Sequence, residues 1–422
     1  MQLVAYGAQD VYLTGNPQIT FFKVVYRRHT NFSMESIRQV WMGGSDTAGH
    51  MSATISRNGD LVNGLHLEVV HQINSSAVAN AVHSMIDTVE CEIGGQMIDR
   101  QSGEWMEVYS ELTEPDPDGR IIKHDAPGAS AGHGSKFQLM SGCGGVISDR
   151  SKYHRNIVPF RFWFCRNPGL ALPLIALQYH EVKINLSFKD AMNADIITNK
   201  LYADYIYLDT DERRRFAQVS HEYLIEQVQL NEFNIENKQN QFELKFYHPV
   251  KELIFSYDWY NSNGSGNSII SNNKEDFYQY GTIPALGDNN IKFTLEINGN
   301  HLLYKDRNIN YFTRREMWEK HSGVCNIYGY KELVGSKSFE GRIISNSESS
   351  LFNDSIGVYS FALKPEDYQP SGTCNFSTVS KVLFTMDNVD VINYKNYLFK
   401  IYARNYNILR IISGSGKLAF IN

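Results

Sequence analysis

The sequence predicts an all-β protein made of two similar units in tandem, with short helices in its loops. Apolar and polar residues alternate in four segments, as in strands with one buried face: residues 65–69, 182–188, 242–246 and 291–297. Such segments are separated by Asn-Gly or Gly-Gly pairs, which supply the positive φ of hairpin turns. The pairs are Asn58-Gly59, Asn63-Gly64, Gly94-Gly95, Asn263-Gly264 and Asn298-Gly299. With 422 residues, the chain is too long for one β sandwich.

A weak internal repeat, offset by about 200 residues, indicates a duplicated unit. Residues 90–100 resemble residues 294–307, and each stretch is followed by a segment with a tryptophan, Trp105 or Trp318. Residues 164–188 resemble residues 361–384 in the same way. The boundary between the units is expected near residues 209–216, where acidic and basic residues nearly cancel. This balance favours a solvated, ion-paired connection over a nucleic-acid patch.

Helical patterns are few. Trp105, Val108, Tyr109 and Leu112 follow the i, i+3, i+4, i+7 spacing of an amphipathic helix, which Pro115 would end. A second short helix is predicted from Thr313 to His321. These helices would lie in the connections between strands.

Composition excludes several classes of protein. Apolar residues make up 42% and charged residues 20%, so the chain is not a disordered one. The net charge of -6 gives no sign of a phosphate-binding surface, and no apolar run is long enough to span a membrane. The first residues lack the basic flank and apolar core of a secretory signal. The five cysteines form no CxxC pair, so we expect free thiols in a reducing compartment.

The search for chemistry predicts no catalytic, cofactor or metal site. Ser130 lies in a GxSxG pattern, but the strand and helix of a nucleophile elbow are missing around it. Ser413 to Lys417 lacks two residues of a phosphate loop and is interpreted as a turn before a last strand. His124, His133 and Cys143 share one stretch without ligand spacing. Aromatic residues that could stack on a sugar leave a carbohydrate-binding alternative, although core packing is the commoner explanation: Tyr257, Trp259 and Tyr260.

Long unbroken blocks carry a family resemblance. Residues 2–22, QLVAYGAQDVYLTGNPQITFF, continue to residue 32, and two further blocks are PGLALPLIALQYHEV at 168–182 and YARNYNILRI at 402–411. Shorter blocks lie at residues 55–61, 92–99, 204–218, 221–227, 359–365 and 369–377. The sequence resembles the major capsid proteins of nucleocytoplasmic large DNA viruses, especially the algal-virus and iridovirus branch.

This resemblance implies two tandem eight-stranded jelly-roll sandwiches, and a homotrimer that forms a pseudo-hexagonal capsomer in an icosahedral shell. The expected division of the chain is an N-terminal arm over 1–26, a first jelly roll over 27–212, a linker over 213–224 and a second jelly roll over 225–422. Neighbouring capsomers and minor capsid proteins beneath the shell are the expected partners. An inner viral membrane lies nearby without insertion, and no direct nucleic-acid binding is expected. The protein would reside in the virion and assemble in the host cytoplasm.

Two smaller expectations concern particular residues. In the family the N-terminal arm lies beneath the first roll, and we hypothesise that Tyr12, Phe21, Phe22 and Tyr26 anchor it. The alternative is that Phe21 and Phe22 belong to the first core strand. Among the glycosylation sequons, Asn263 and Asn353 lie in predicted loops and are the candidates for modification.

The sequence departs from the commonest family pattern in two places. It starts directly at Gln2 without a longer Gly-rich lead, and residues 113–158 are rich in Gly, Ala and Ser. A minor capsid paralogue with a specialised position in the shell therefore stays open as an alternative.

Overall fold

A computed structural model describes residues 29–43, 49–73, 78–114, 136–143, 146–147, 151–189, 194–258, 286, 290–301, 307–323, 355–391 and 397–421. Strands dominate this part of the chain, and their pairings are antiparallel. We call the part from β1 to β11 the first roll and the part from β12 to β21 the second roll.

The strands of the first roll are β1 Phe32–Gln39, β2 His50–Thr54, β3 Leu61–Ile73, β4 Val78–Ala79, β5 Ile86–Ile93, β6 Gln96–Ser102, β7 Val146–Ile147, β8 His154–Pro159, β9 Leu172–Pro173, β10 Val182–Phe188 and β11 Ala194–Leu208. Its helices are Ala81–Met85, Gly103–Thr113, Lys136–Ser141 and Trp163–Arg166, with a 3-10 turn at Pro168–Leu170.

The helix Thr210–Gln218 follows the first roll. The strands of the second roll are β12 His221–Asn234, β13 Asn240–Glu243, β14 Pro249–Tyr257, β15 Lys292–Ile297, β16 Asn300–His301, β17 Gly357–Ser360, β18 Cys374–Asn375, β19 Val382–Asp387, β20 Leu398–Ile412 and β21 Ser415–Leu418. A π-helical turn at Tyr311–Glu316 continues into the helix Met317–Lys320, and a 3-10 turn covers Phe376–Thr378.

Both rolls have the same strand order. The first roll pairs its strands as β1-β11-β3-β8 and β2-β10-β5-β6, and the second as β12-β20-β14-β17 and β13-β19-β15-β16. Each of these eight strands of the first roll thus has a counterpart at the same place in the second, while β4 and β7 form a separate pair. Two four-stranded sheets with this crossed connectivity make a jelly roll. The prediction of two tandem eight-stranded jelly-roll sandwiches is confirmed.

Each roll has its own core between its two sheets. In β5 every second residue is buried in the middle of the strand, as the alternating pattern requires. Aliphatic residues from β3, β5 and β10 fill the first core. The second core is richer in phenylalanine, and Phe255 packs edge-on against Phe293 with ring centroids 5.2 Å apart. None of the helices in the described part of the chain combines the length and apolar character needed to cross a membrane.

The internal repeat corresponds to equivalent hairpins. β5 and β6 turn at Gly94-Gly95, and β15 and β16 turn at Asn298-Gly299. All four of these turn residues have positive φ, as a two-residue hairpin turn of the I′ type requires. The predicted helices follow each hairpin, at Gly103–Thr113 and at Tyr311–Lys320. The segment from Ser413 to Lys417 likewise contains the turn between β20 and β21, at Ser413-Gly414, followed by the start of β21.

One predicted turn is wrong. Asn63-Gly64 lies inside β3, opposite β11, where the register shifts beside Asp204. A Cβ atom on Gly64 would lie 2.5 Å from Oδ2 of Asp204. The glycine therefore leaves room for a neighbouring side chain and does not reverse the chain.

A capped helix occupies the predicted boundary between the rolls. Asp209 accepts a hydrogen bond from the backbone N–H of Glu212 at 3.0 Å and so caps the helix Thr210–Gln218. Arg213 of this helix pairs with Asp60 of the first roll at 3.0 Å. Residues 213–224, expected to form the linker, include the end of this helix and the start of β12. The expected arm over 1–26 lies outside the described residues.

Candidate functional site at the junction of the two rolls

The first contact between the rolls is made by the helix Gly103–Thr113. Ser102 caps it by accepting the N–H of Trp105 at 3.0 Å. Its apolar stripe packs against the second roll in one buried cluster formed by Trp105, Val108, Tyr109, Leu112, Ile254, Met317, Ile356, Val358 and Tyr402. The rings of Trp105 and Tyr402 lie 5.0 Å apart. Burying a side chain of this size stabilises the contact by about 1.5–3 kcal/mol.

The second contact is made by the hairpin of β20 and β21. Its apolar side chains, with one from β12, enter the core of the first roll: Leu409, Ile411, Leu418 and Ile225. Nδ1 of His180 lies 3.0 Å from the carbonyl oxygen and 3.2 Å from the backbone nitrogen of Gly416, and its tautomer selects one of these two hydrogen bonds. Tyr179 N–H donates to the carbonyl of Gly414 at 3.0 Å. A Cβ atom on Gly416 would lie 2.7 Å from Leu177, so the hairpin sits directly on the first roll.

A third contact joins β6 to β12 through Asp99. Its Oδ1 accepts the N–H of Val228 at 3.1 Å, and its Oδ2 accepts an N–H of Gln101 at 2.8 Å. Gln227 of β12 also donates to the carbonyl of Ile98. Burial raises the pKa of Asp99 to about 7, although these hydrogen bonds oppose the shift.

Ionisable side chains fill the middle of the junction. We define the junction charge cluster as Arg166, Glu226, Lys251, Glu252, His321, Glu366 and Arg404. Arg166 belongs to the first roll, and the other members belong to the second roll and its helical segment. The three carboxylates face two guanidinium groups, one lysine and one histidine. Burial, together with Arg404, lowers the pKa of Lys251 to about 7.

Glu226 is the member that links the rolls. Its Oε2 lies 2.7 Å from Nη1 of Arg166 and 2.8 Å from Nη2 of Arg404, while its Oε1 accepts from Lys251. The guanidinium groups of Arg166 and Arg404 also lie over the ring of Tyr109, 5.3 and 5.2 Å from its centroid. Burial would raise the pKa of Glu226, but the surrounding cations hold it well below its usual value.

Glu252 and His321 extend the cluster toward the surface. Nε2 of His321 lies 3.0 Å from Oε2 of Glu252, and Nδ1 lies 3.1 Å from Oε1 of Glu366. Burial would raise the pKa of Glu252, but Arg404 and His321 lower it to about 2. Burial would lower the pKa of His321, but the two carboxylates raise it above its ordinary value. The two carboxylates therefore favour the charged form of the histidine.

Two further polar contacts flank the cluster. Lys400 of β20 lies 2.6 Å from Oε2 of Glu104 in the first roll. Tyr368 donates to the carbonyl of Arg166 at 2.6 Å. Apolar packing, backbone hydrogen bonds and buried charges thus act on the same surface, and the arrangement fixes the mutual orientation of the rolls.

Most of the site residues predicted from the sequence are not among the described residues. The following lie outside the described residues: Tyr12, Phe21, Phe22, Tyr26, His124, Ser130, His133, Trp259, Tyr260, Asn263 and Asn353. Tyr257 is fully buried in the second core, where its ring contacts Tyr397 and Phe399. Tyr257 is therefore a core residue, in agreement with the commoner of the two explanations given above, and its ring is not accessible to a sugar.

Sequence reasoning missed the junction charge cluster. One signal was present, because Lys251 and Glu252 interrupt the apolar run of β14, which is buried along almost its whole length. Charged residues in such a strand need buried partners. The partners come from distant segments, so their identity could not be read from the pattern.

Family profiles match both halves of the chain. The profile described as "Major capsid protein N-terminus" matches residues 20–220. The profile described as "Large eukaryotic DNA virus major capsid protein" matches residues 212–330 and 350–417. The two matches meet at the helix between the rolls.

Individual proteins agree over the full length. The chain is 43% identical to the major capsid protein of Pyramimonas orientalis virus, over 100% of this chain and 99% of that protein. It is 36% identical to the major capsid protein of Phaeocystis pouchetii virus, with the same coverage. The solved structure titled "PBCV-1 virus capsid, quasi-atomic model" matches with a TM-score of 0.72 and 29% identity, over 96% of this chain and 100% of that one. The chain therefore belongs to the major capsid protein family of large eukaryotic DNA viruses.

Proposed function

We propose that this structural capsid protein forms homotrimers, and that each trimer is a pseudo-hexagonal capsomer tiling an icosahedral shell. The observation that carries the proposal is the identical strand order of the two rolls, held together by a buried junction. Three chains then supply six similar units around one axis, and closed threefold symmetry gives a hexagonal outline. A rigid junction keeps the six units in place.

The oligomeric state is tested by light scattering coupled to size exclusion. Three times the chain mass of 48.2 kDa is about 145 kDa, and this is the expected value over a dilution series. Electron microscopy of concentrated trimer is expected to show hexagonal arrays. A monomer at every concentration would contradict the homotrimer and leave the family membership untouched.

The proposal includes the surroundings of the capsomer in the virion. We place neighbouring capsomers at its sides, minor capsid proteins beneath it and an inner viral membrane nearby without insertion. Direct nucleic-acid contact and enzymatic activity form no part of the proposal, and assembly takes place in the host cytoplasm. Cross-linking mass spectrometry of purified particles is expected to join this chain to further copies and to smaller shell proteins. Abundant cross-links to DNA would contradict this placement.

Abundance separates the major capsid protein from a minor paralogue. The full-length relatives described above are named major capsid proteins, which favours the major role. Quantitative mass spectrometry of purified virions is expected to find this chain as the most abundant protein of the shell. A few copies per particle would instead indicate the minor paralogue.

The N-terminal arm over 1–26 is proposed to lie beneath the capsomer, anchored by Tyr12, Phe21, Phe22 and Tyr26. Deletion of residues 1–20 tests this placement. We expect trimers that still fold but form shells of reduced stability. Shells of undiminished stability would rule out the anchoring role.

We propose Asn263 and Asn353, which lie in predicted loops, as glycosylation sites. Glycopeptide mass spectrometry on protein from virions is expected to show modification at one or both asparagines. Unmodified peptides covering both positions would remove the proposal.

A further inference from the structure

Three segments of the first roll bring a histidine, a glutamate and a cysteine together. His83 belongs to the helix Ala81–Met85, Glu107 to the helix Gly103–Thr113, and Cys143 follows the helix Lys136–Ser141. Their ligand atoms all lie within 4.8 Å of one another, and Nδ1 of His83 is 2.7 Å from Oε2 of Glu107. Within the described ranges, this is the single group of three such residues. All three residues are buried.

The backbone that carries these side chains is held in place. A Cβ atom on Gly103 would lie 2.0 Å from the carbonyl oxygen of His83, so the two helices approach as closely as a glycine permits. The N–H of Cys143 donates to Oγ of Ser141 at 3.1 Å. Gly142, between them, has a φ of 73°, which a glycine adopts without strain. The donors therefore converge from a fixed framework, as a binding site requires.

The donor set selects the kind of ion. Imidazole nitrogen, carboxylate oxygen and thiolate sulfur together suit a borderline cation such as Zn²⁺, whereas Mg²⁺ and Ca²⁺ take oxygen ligands. A carboxylate and a thiolate carry two negative charges, and a divalent cation would neutralise both in a site where unpaired charge is costly. Binding would release the thiol proton and any proton shared by His83 and Glu107.

We infer that His83, Glu107 and Cys143 form a binding site for one Zn²⁺ ion, which would tie the two helices to the segment after Ser141. The helix that carries Glu107 also carries Trp105 and Tyr109 of the junction, so the ion would stiffen the element on which the second roll rests. The competing arrangement is a histidine–glutamate hydrogen bond beside a neutral thiol.

The test uses the full-length protein, its metal content as purified and its binding of Zn²⁺ after chelation. We expect one equivalent of zinc per chain, a zinc-dependent rise in melting temperature, and a thiolate-to-metal charge-transfer band when Co²⁺ replaces zinc. Cys143→Ser should weaken binding by about 100-fold or more and abolish the band, since even outer-shell changes cost 10–100-fold. Cys91→Ser is the matched control, because Cys91 is a buried cysteine of β5 outside the group.

The test does not depend on the stability of any one variant. If Cys143→Ser fails to fold, Glu107→Gln is measured in the same way, and the melting shift on adding Zn²⁺ is compared within each protein. Folded wild type that takes up no Zn²⁺ would overturn the inference. Equal zinc affinity in wild type and in a folded ligand variant would overturn it as well.

Discussion

Arg404 stands between two buried carboxylates, those of Glu226 and Glu252, and is itself almost inaccessible to water. Taking such charges out of water costs several kcal/mol per ion, and only close pairing offsets that cost. The cluster is therefore weak evidence for high stability, but it makes the junction intolerant of losing one partner. It also admits only the arrangement of the rolls in which all its charges are paired.

Replacing Arg404 by methionine is expected to destabilise the protein by about 3–5 kcal/mol, because two carboxylates would lose a buried partner. Arg410→Met is the matched control on the same strand. Arg410 pairs with Glu222 at 2.8 Å, but the two side chains are 43% and 59% exposed, so a loss of about 0–1 kcal/mol is expected. Urea unfolding of both variants measures the difference. Equal losses of stability in the two variants would show that the buried ion pairs of Arg404 contribute no more than the more exposed pair of Arg410.

The pKa of His321 predicts how stability depends on pH. Because its folded pKa lies above the ordinary value of about 6.5, the group contributes stability that is fully present below that value and is lost as pH rises through the folded pKa. The groups facing it are Glu252, Glu366 and Arg404. We expect the advantage of wild type over His321→Gln to be larger near pH 6 than near pH 9. A constant difference across that range of pH would exclude the charged histidine.

Sequence alone could indicate these residues only in part. The charges within the apolar run of β14 show that something polar is buried there, but Arg166 and His321 come from separate turns of the chain with ordinary local patterns. His83, Glu107 and Cys143 are likewise far apart in sequence and match no ligand motif. Side chains that meet through tertiary packing leave no spacing to read.

At the scale of elements, the hairpin turns depend on particular backbone angles. Gly299 has a φ of 79° in the turn between β15 and β16, and a Cβ atom there would meet no neighbour within 4 Å. Gly299→Val should cost about 1–2 kcal/mol through left-handed backbone strain alone. Gly299→Asn should cost less, because asparagine enters this region more readily. Thermal unfolding of both variants checks this order, and a valine variant as stable as the asparagine variant would contradict it.

The turns also mark the limit of local prediction. Gly94-Gly95 and Asn298-Gly299 form hairpin turns, because their positive φ is a property of the segment itself. Gly64 has the same sequence signature as a turn, yet it serves a close approach to Asp204 of β11. A glycine required by a distant strand cannot be distinguished from a turn glycine until the pairing is known.

At the scale of the molecule, the apolar part of the junction decides whether the rolls unfold together. Trp105→Ala should cost about 3–5 kcal/mol, because a tryptophan with 1% of its surface exposed leaves a cavity against Tyr402. We expect the wild type to unfold in one calorimetric transition, and the transition of Trp105→Ala to broaden or divide as the rolls uncouple. Trp318→Ala, in the equivalent helical segment of the second roll, is the control, since that side chain is 83% exposed. An undivided transition at unchanged temperature in Trp105→Ala would refute the coupling.

The fold of the whole molecule was the most predictable feature. Alternation, turn pairs and the repeat indicated a duplicated β architecture, and the family resemblance supplied the jelly roll and its eight strands. The packing of one roll on the other could not be predicted. The junction joins β6, β12, β20 and two helices, and the sequence patterns of these elements do not show which of them pack against each other.

The hairpin of β20 and β21 has a consequence for how the chain is made. Leu409, Ile411 and Leu418 complete the core of the first roll, yet they are synthesised after almost everything else. From Leu208, the end of the first roll, to Leu418 is 418 − 208 = 210 residues. At about 5–20 residues per second, a ribosome needs on the order of 10 to 40 s to cover that distance. During that time part of the apolar core surface of the first roll stays exposed. A chaperone that binds exposed apolar surface would act in this interval.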